Sequence, residues 1–234
     1  RWGFLLLIPA IVHAVVSSYS RGAMLSVLFT VPFYFLYSRQ RKFLTVVCLV
    51  MAFVVLPLAA GKEIQERFFS VTEAEADESF NSRLVSWDCA VRIAHDYPVF
   101  GAGPRNSNLI TQQYGADMWG RTIHNNYLQI AADNGWLGLF WYAGTLGFCL
   151  LSIWRARARL WNAPGDDARR AVCMLGGMEC SLWTFMIGAT ALSLEAFELP
   201  YILMLMGAQV WAITNAQIDP PRGVPHLPPA ARVA

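Results

Sequence analysis

Charge is what this sequence has least of. Of 234 residues only 15% are Asp, Glu, Lys or Arg, while 56% are hydrophobic, and that balance excludes an ordinary soluble domain. With 18 basic and 16 acidic residues there is no surplus of one sign to attract a nucleic acid. The basic residues instead gather where membrane topology would place them. Cysteine is sparse as well. Cys48, Cys149, Cys173 and Cys180 fall in apolar runs, where a thiol behaves as a small hydrophobe, and Cys89 has no evident partner. A disulfide framework is therefore not expected, and no Cys/His spacing of the zinc type occurs. No internal repeat period is visible, and no strand-linked Gly-x-Gly-x-x-Gly marks a dinucleotide site.

What the chain has is hydrocarbon in long runs. Residues 2–19, 23–37 and 43–60, and later 129–154, 171–192 and 196–214, are each near the length that crosses a core of about 30 Å as a helix. Arg39, Arg41 and Lys42 form one basic cluster between runs; Arg155, Arg157, Arg159, Arg169 and Arg170 form another. The positive-inside rule puts both clusters and the tail on the cytoplasmic side. Ser20-Arg21-Gly22, the 61–127 segment and Glu195 then fall together on the opposite side. The expected fold is an all-α, polytopic transmembrane helix bundle of about six spans with one large, partly helical outer loop. Its divisions are three spans in 1–60, a loop carrying catalytic residues in 61–127, three spans in 128–214 and a disordered cytoplasmic tail in 215–234. Pro220, Pro221, Pro225, Pro228 and Pro229 preclude a packed helix in that tail. Because the sequence opens on Arg1-Trp2 inside an apolar run, further spans are expected before it.

The outer loop concentrates the chemistry. Glu63, Glu66, Glu73, Glu75, Asp77 and Glu78 read as a solvated acidic surface, since a metal site needs tighter convergence. Leu84, Trp87, Val91 and Ala94 follow at helical spacing, with Asn81 or Ser82 as N-cap and Pro98 as the stop. That places Arg83 near a helix amino terminus, where anions are favoured. Gly101 and Gly103 permit either a tight turn or a close backbone approach to a phosphate. His95 reads as a cap or surface residue, and Glu179 as an interhelical hydrogen-bond partner near the cytoplasmic end of its span.

The segment His124-Asn125-Asn126-Tyr127 runs straight from the loop into an apolar span. It is either an interfacial helix cap with Tyr127 and Trp136 as aromatic anchors, or a reactive imidazole beside amide groups at the membrane face. Arg21, alone between two spans, either snorkels or holds a ligand. Arg21, Arg83 and His124 share the outer face, and two guanidiniums with an imidazole suit a diphosphate and an incoming hydroxyl. Arg92, Arg105 and Arg121 are further phosphate candidates.

These features, in order, resemble the O-antigen ligase and O-antigen polymerase superfamily of bacterial envelope glycan enzymes. The resemblance rests on Ser20-Arg21-Gly22, Ser82-Arg83-Leu84 with Trp87, Pro98 to Gly103, and His124 to Leu128 leading to Gly135-Trp136-Leu137-Gly138-Leu139. The stretches Ile93 to Pro98 and Leu128 to Ala132 are similar to the O-glycosylation ligases that accompany exosortase systems. The resemblance implies transfer of a glycan from an undecaprenyl-diphosphate carrier to a hydroxyl on lipid A-core or protein. It implies a multi-pass protein of the bacterial inner membrane with a periplasmic active face, no nucleotide sugar, no cofactor and no metal. It also implies that Arg21 and Arg83 hold the diphosphate and that His124 orients or deprotonates the acceptor or assists the leaving group. Asn125, Asn126, Tyr127, Gly101, Gly103, Arg105 and Arg121 are the expected substrate contacts. The alternatives are a polymerase of the same superfamily, a lipid-linked sugar transporter or flippase, and a membrane scaffold.

Overall fold

The computed structural model describes residue 26 and residues 78–193 and 197–218. The three spans expected in 1–60, Arg21, the acidic residues up to Asp77 and the proline-rich tail lie outside the described residues. Among the described residues every regular element is a helix. They are α1 (Glu78–Asp96), α2 (Ser107–Ile110), a 3-10 turn (Thr111–Tyr114), α3 (Asn126–Leu160), α4 (Asp166–Gly188) and α5 (Leu199–Ile218).

Helix α1 begins ahead of the Asn81 or Ser82 cap that the sequence suggests, because Glu78, Ser79 and Phe80 are already helical. Arg83 is thus the sixth helical residue, beyond the first turn where the dipole acts, and the helix-terminus argument for its anion affinity falls away. The buried face also differs from the expected stripe. Ser86, Cys89, Ala90, Ile93 and Ala94 are buried while Leu84 is exposed, so α1 presents small side chains inward and approaches α3 closely. Ala90, Ile93, Ile123 and Ala132 form the core of this polar lobe.

Helix α3 is two helices joined at Gly135, whose φ of 73° and ψ of 176° belong to a region that only glycine occupies readily. A break in a helix strands carbonyls and amides that must find partners. Here the loop after α1 supplies them. The N–H groups of Ala102 and Gly103 donate to the carbonyls of Ala132 and Asp133 at 2.8 and 2.9 Å, and Trp136 N–H donates to Pro98 O at 2.8 Å. The approach leaves no room for side chains. A Cβ on Gly101 would lie 2.2 Å from the Asp133 carbonyl carbon, and one on Gly135 would lie 2.6 Å from Pro98 O.

The first half of α3 consequently packs into the polar lobe, and the helix continues past the break into the bundle. Residues 136–160, at about 1.5 Å each, reach about 37 Å, enough to cross the hydrocarbon core. Among the described residues α3, α4 and α5 are the three helices long and apolar enough to span a membrane. Leu146, Cys149, Ile153, Leu175, Leu182 and Met204 interlock in the bundle core. Glu179 makes the interhelical bond expected of it: Arg157 Nε donates to Glu179 Oε2 at 3.0 Å, with both side chains buried. The basic connection is shorter than the sequence suggests, because Arg155, Arg157 and Arg159 lie on α3 itself and Arg169 and Arg170 on α4. Cys173 is exposed and Cys180 buried, so the two do not share one packed face.

Gly135→Ala is expected to destabilise the full chain by about 2–5 kcal/mol, from a forbidden backbone conformation plus overpacking against Pro98 and Val99. Gly144→Ala, where a Cβ meets open space, should change stability by less than about 1 kcal/mol. Denaturant unfolding in detergent measures both, and equal losses would refute the interlock.

Candidate functional site

The site forms where the loop re-enters the bundle. Ile123 is buried in the lobe core, and His124 follows with φ of 55°, a left-handed conformation unusual for a side chain with a Cβ. The strain is held by hydrogen bonds to the end of α4 and the turn after it. His124 N–H donates to Ser193 Oγ at 3.1 Å, Asn126 N–H to Ala189 O at 2.8 Å, and Tyr127 Oη to Met186 O at 2.9 Å. The last carbonyls of a helix lack intrahelical partners, so the carboxyl end of α4 offers acceptors to this segment. Asn125 caps α3, its side-chain oxygen accepting from Tyr127 and Leu128 N–H at 3.0 and 3.1 Å. Asn126 is fully buried and its amide donates to Tyr142 Oη at 2.9 Å.

A cavity of about 220 Å³ opens beside His124. Ser82 and Arg83 of α1 form one wall, and Met118, Gly120, Arg121, Thr122 and His124 form the other. Arg83, Arg121 and His124, separate in sequence, are therefore brought together. Arg121 Nη1 stands 3.4 Å from Asp117, but its Nε is buried without a hydrogen-bond partner. Burial pushes the half-buried His124 imidazole below its usual pKa, and the Arg83 and Arg121 guanidiniums push it the same way. At neutral pH the ring is held uncharged and can accept a proton, while the two arginines keep the cavity positive. Such a pocket can hold a multiply charged oxyanion and remove a proton from a neighbouring hydroxyl.

The remaining expected contacts are placed elsewhere. The N–H groups of Gly101 and Gly103 donate to Tyr97 O and Asp133 O, so these glycines serve the turn and not a phosphate nest. Asn125, Asn126 and Tyr127 spend hydrogen bonds on holding the segment. Arg105 lines a second cavity, of about 400 Å³, with Pro104, Ile130, Asp133, Asn134, Tyr142 and Tyr201. His95 is exposed and set edge-on to Trp136 at 5.8 Å. Among the described residues no three His, Cys, Asp or Glu side chains converge as metal ligands do. Ser193 was not legible as a partner of His124, since 69 residues separate them and only the packing of α4 joins them.

Arg83→Gln and Arg121→Gln each remove a positive neighbour and are expected to raise the His124 pKa, while leaving it below the ordinary value because burial persists. An NMR titration of labelled histidine reads this; a titration unmoved by both substitutions would separate the guanidiniums from the imidazole.

A family model described as O-antigen ligase matches residues 4–143, from the first apolar run to the middle of α3. The matched stretch includes Arg83, Arg121 and His124 and stops before α4 and α5. No curated protein and no solved structure matches the chain.

Proposed function

Because the chain belongs to the O-antigen ligase family, we propose that it is a glycosyltransferase of the bacterial inner membrane. It moves a glycan from undecaprenyl diphosphate to an acceptor hydroxyl on the periplasmic face, with lipid A-core or protein as acceptor. The convergence of Arg83, Arg121 and His124 on one cavity carries this reading. Diphosphate is a competent leaving group once its developing charge is held, and the guanidiniums suit that task. The resemblance also assigns a diphosphate-holding role to Arg21, which lies outside the described residues.

In the transfer, the acceptor oxygen forms a bond to the anomeric carbon as the bond from that carbon to the diphosphate oxygen breaks. The electron pair leaves with the diphosphate, and the acceptor proton passes to the neutral His124 imidazole. Attack opposite the leaving group inverts the anomeric centre. Positioning and charge stabilisation supply most of the acceleration, and general-base help adds about 10²–10⁴-fold. The chain's own residues supply these roles without a nucleotide sugar, a cofactor or a metal. A polymerase would use the same chemistry with a carrier-linked glycan as acceptor. A transporter would need charge along a path through the spans. The two ionised groups described deep in the helices, Arg157 and Glu179, are bound to each other at the basic end.

His124→Ala, in the full-length protein and in membranes lacking the native enzyme, is expected to lower glycan transfer by about 10²–10⁴-fold at unchanged abundance. Arg83→Lys keeps the charge but not the fork, and should raise the donor KM. Normal transfer by the His124 variant would reduce that residue to a helix cap.

A further inference from the structure

One reactive side chain in the wall of the His124 cavity has no part in the transfer chemistry. Among the described residues three methionines are exposed, Met118, Met174 and Met206. Met174 and Met206 stand on the apolar helices α4 and α5. Met118, 52% exposed, stands instead in the cavity wall, on the short segment between Gly115 and Gly120. An oxidant in water can reach its sulfur there, and the exposed side chain has room for one more atom.

That sulfur already meets a cation. Arg121 Nη1 donates to Met118 Sδ at 3.6 Å and stands 3.4 Å from Asp117 Oδ2. A thioether is a weak acceptor, so it yields the guanidinium readily to a better one. Arg121 itself has little freedom to turn away, since its side chain is only 20% exposed. Oxidation would change the balance. The sulfur lone pair attacks one oxygen of a peroxide, the O–O bond breaks, and the proton on the attacked oxygen passes to the departing hydroxide, which leaves as water. Sulfur loses two electrons, the peroxide gains them, and the thioether becomes a sulfoxide. The new oxygen is a strong acceptor bonded to the very atom that Arg121 meets, and its hydrogen bond to a guanidinium is charge-assisted. It brings partial negative charge to the place where an oxyanion would put its own oxygen.

Resting on the glycosyltransferase reading above, we propose that Met118 is a reversible oxidation site whose sulfoxide, formed by peroxide, takes Arg121 from the oxyanion and weakens diphosphate binding. A dithiol reverses the change through a methionine sulfoxide reductase: the sulfoxide oxygen leaves as water and the dithiol becomes a disulfide. The thioether leaves the guanidinium to the anion, and the sulfoxide competes for it.

The test uses the full chain in lipid nanodiscs, treated with hydrogen peroxide and then freed of it, with inorganic diphosphate as the probe. Peptide mass spectrometry reads the sulfoxide at each methionine, and titration calorimetry reads diphosphate affinity. The oxidised wild type should bind diphosphate about tenfold more weakly, the loss expected when a charge-assisted hydrogen bond has to be broken first. Sulfoxide reductases for both epimers, with a dithiol, should restore the affinity. Met118→Leu should bind equally before and after peroxide, its own untreated affinity being the reference, and Met174→Leu should lose affinity as the wild type does. Sulfoxide at Met118 with unchanged affinity overturns the proposal and leaves the donor reading standing. An equal loss in Met118→Leu does the same, because it traces the effect to another residue, as does a Met118 that stays reduced while Met174 and Met206 oxidise. An untreated chain that binds no diphosphate sinks the donor reading and the oxidation site with it.

Discussion

A helix that stops at Gly135 and restarts at Trp136 has to hand its stranded backbone groups to something else, and much of the described structure depends on what receives them. The loop from Pro98 to Gly103 pairs with both sides of the break, giving two N–H donors to Ala132 and Asp133 and accepting one from Trp136. Both chains come so close that Gly101 and Gly135 each exclude a Cβ. This interlock fixes the polar lobe on the bundle. It also lets one element serve two environments, with 126–134 packed against α1 and the residues after the break packed in the apolar bundle.

Beneath the interlock a buried polar cluster sets the register of the lobe. Asp133 accepts Ser107 N–H and Gln129 Nε2, and Gln129 also donates to Ser107 Oγ at 2.8 Å. All three residues are almost wholly removed from solvent. Polar groups in such a place are tolerated when paired and costly when not, so the cluster discriminates against slipped packings of α2 on α3. Tyr114 adds a peripheral tie. Its hydroxyl donates to Asp96 at 2.8 Å, a bond that pushes its pKa up to about 12 and fastens the 3-10 turn to the end of α1.

The site inherits its geometry from these constraints. Arg83 arrives on α1, Arg121 and His124 on the returning segment, and the end of α4 with the turn after it holds that segment through three hydrogen bonds. The left-handed backbone at His124 is affordable only because both flanks are anchored, Ile123 in the lobe core and Asn126 on Ala189. Rigid supports on either side of a strained residue hold the imidazole beside the Arg83 and Arg121 guanidiniums.

Much of this was legible in the residues, for identifiable reasons. Composition and hydrophobic run length give a helical membrane protein, since continuous apolar runs of this length suit a spanning helix and not the short alternating strands of a barrel. Glu179 needed a partner because a carboxyl in a span is costly alone, and Arg157 is that partner. Arg83 and His124 stood out with Arg21 on the outer face, Arg121 was a further phosphate candidate, and Arg83, Arg121 and His124 line one cavity. The boundaries were less legible: the Asn134-Gly135 pair is a turn signal, yet the apolar residues on both sides read as one span. The Gly101 and Gly103 pattern has the same form whether its N–H groups meet a phosphate or a carbonyl. Local sequence, through side-chain hydrophobicity and charge, determined which segments can cross a membrane and which groups can bind an oxyanion. Only the tertiary structure decided which N–H groups remain for a ligand, where α3 breaks, and that Ser193 holds His124, because hydrogen-bond partners distant in sequence are set by packing and not by propensity.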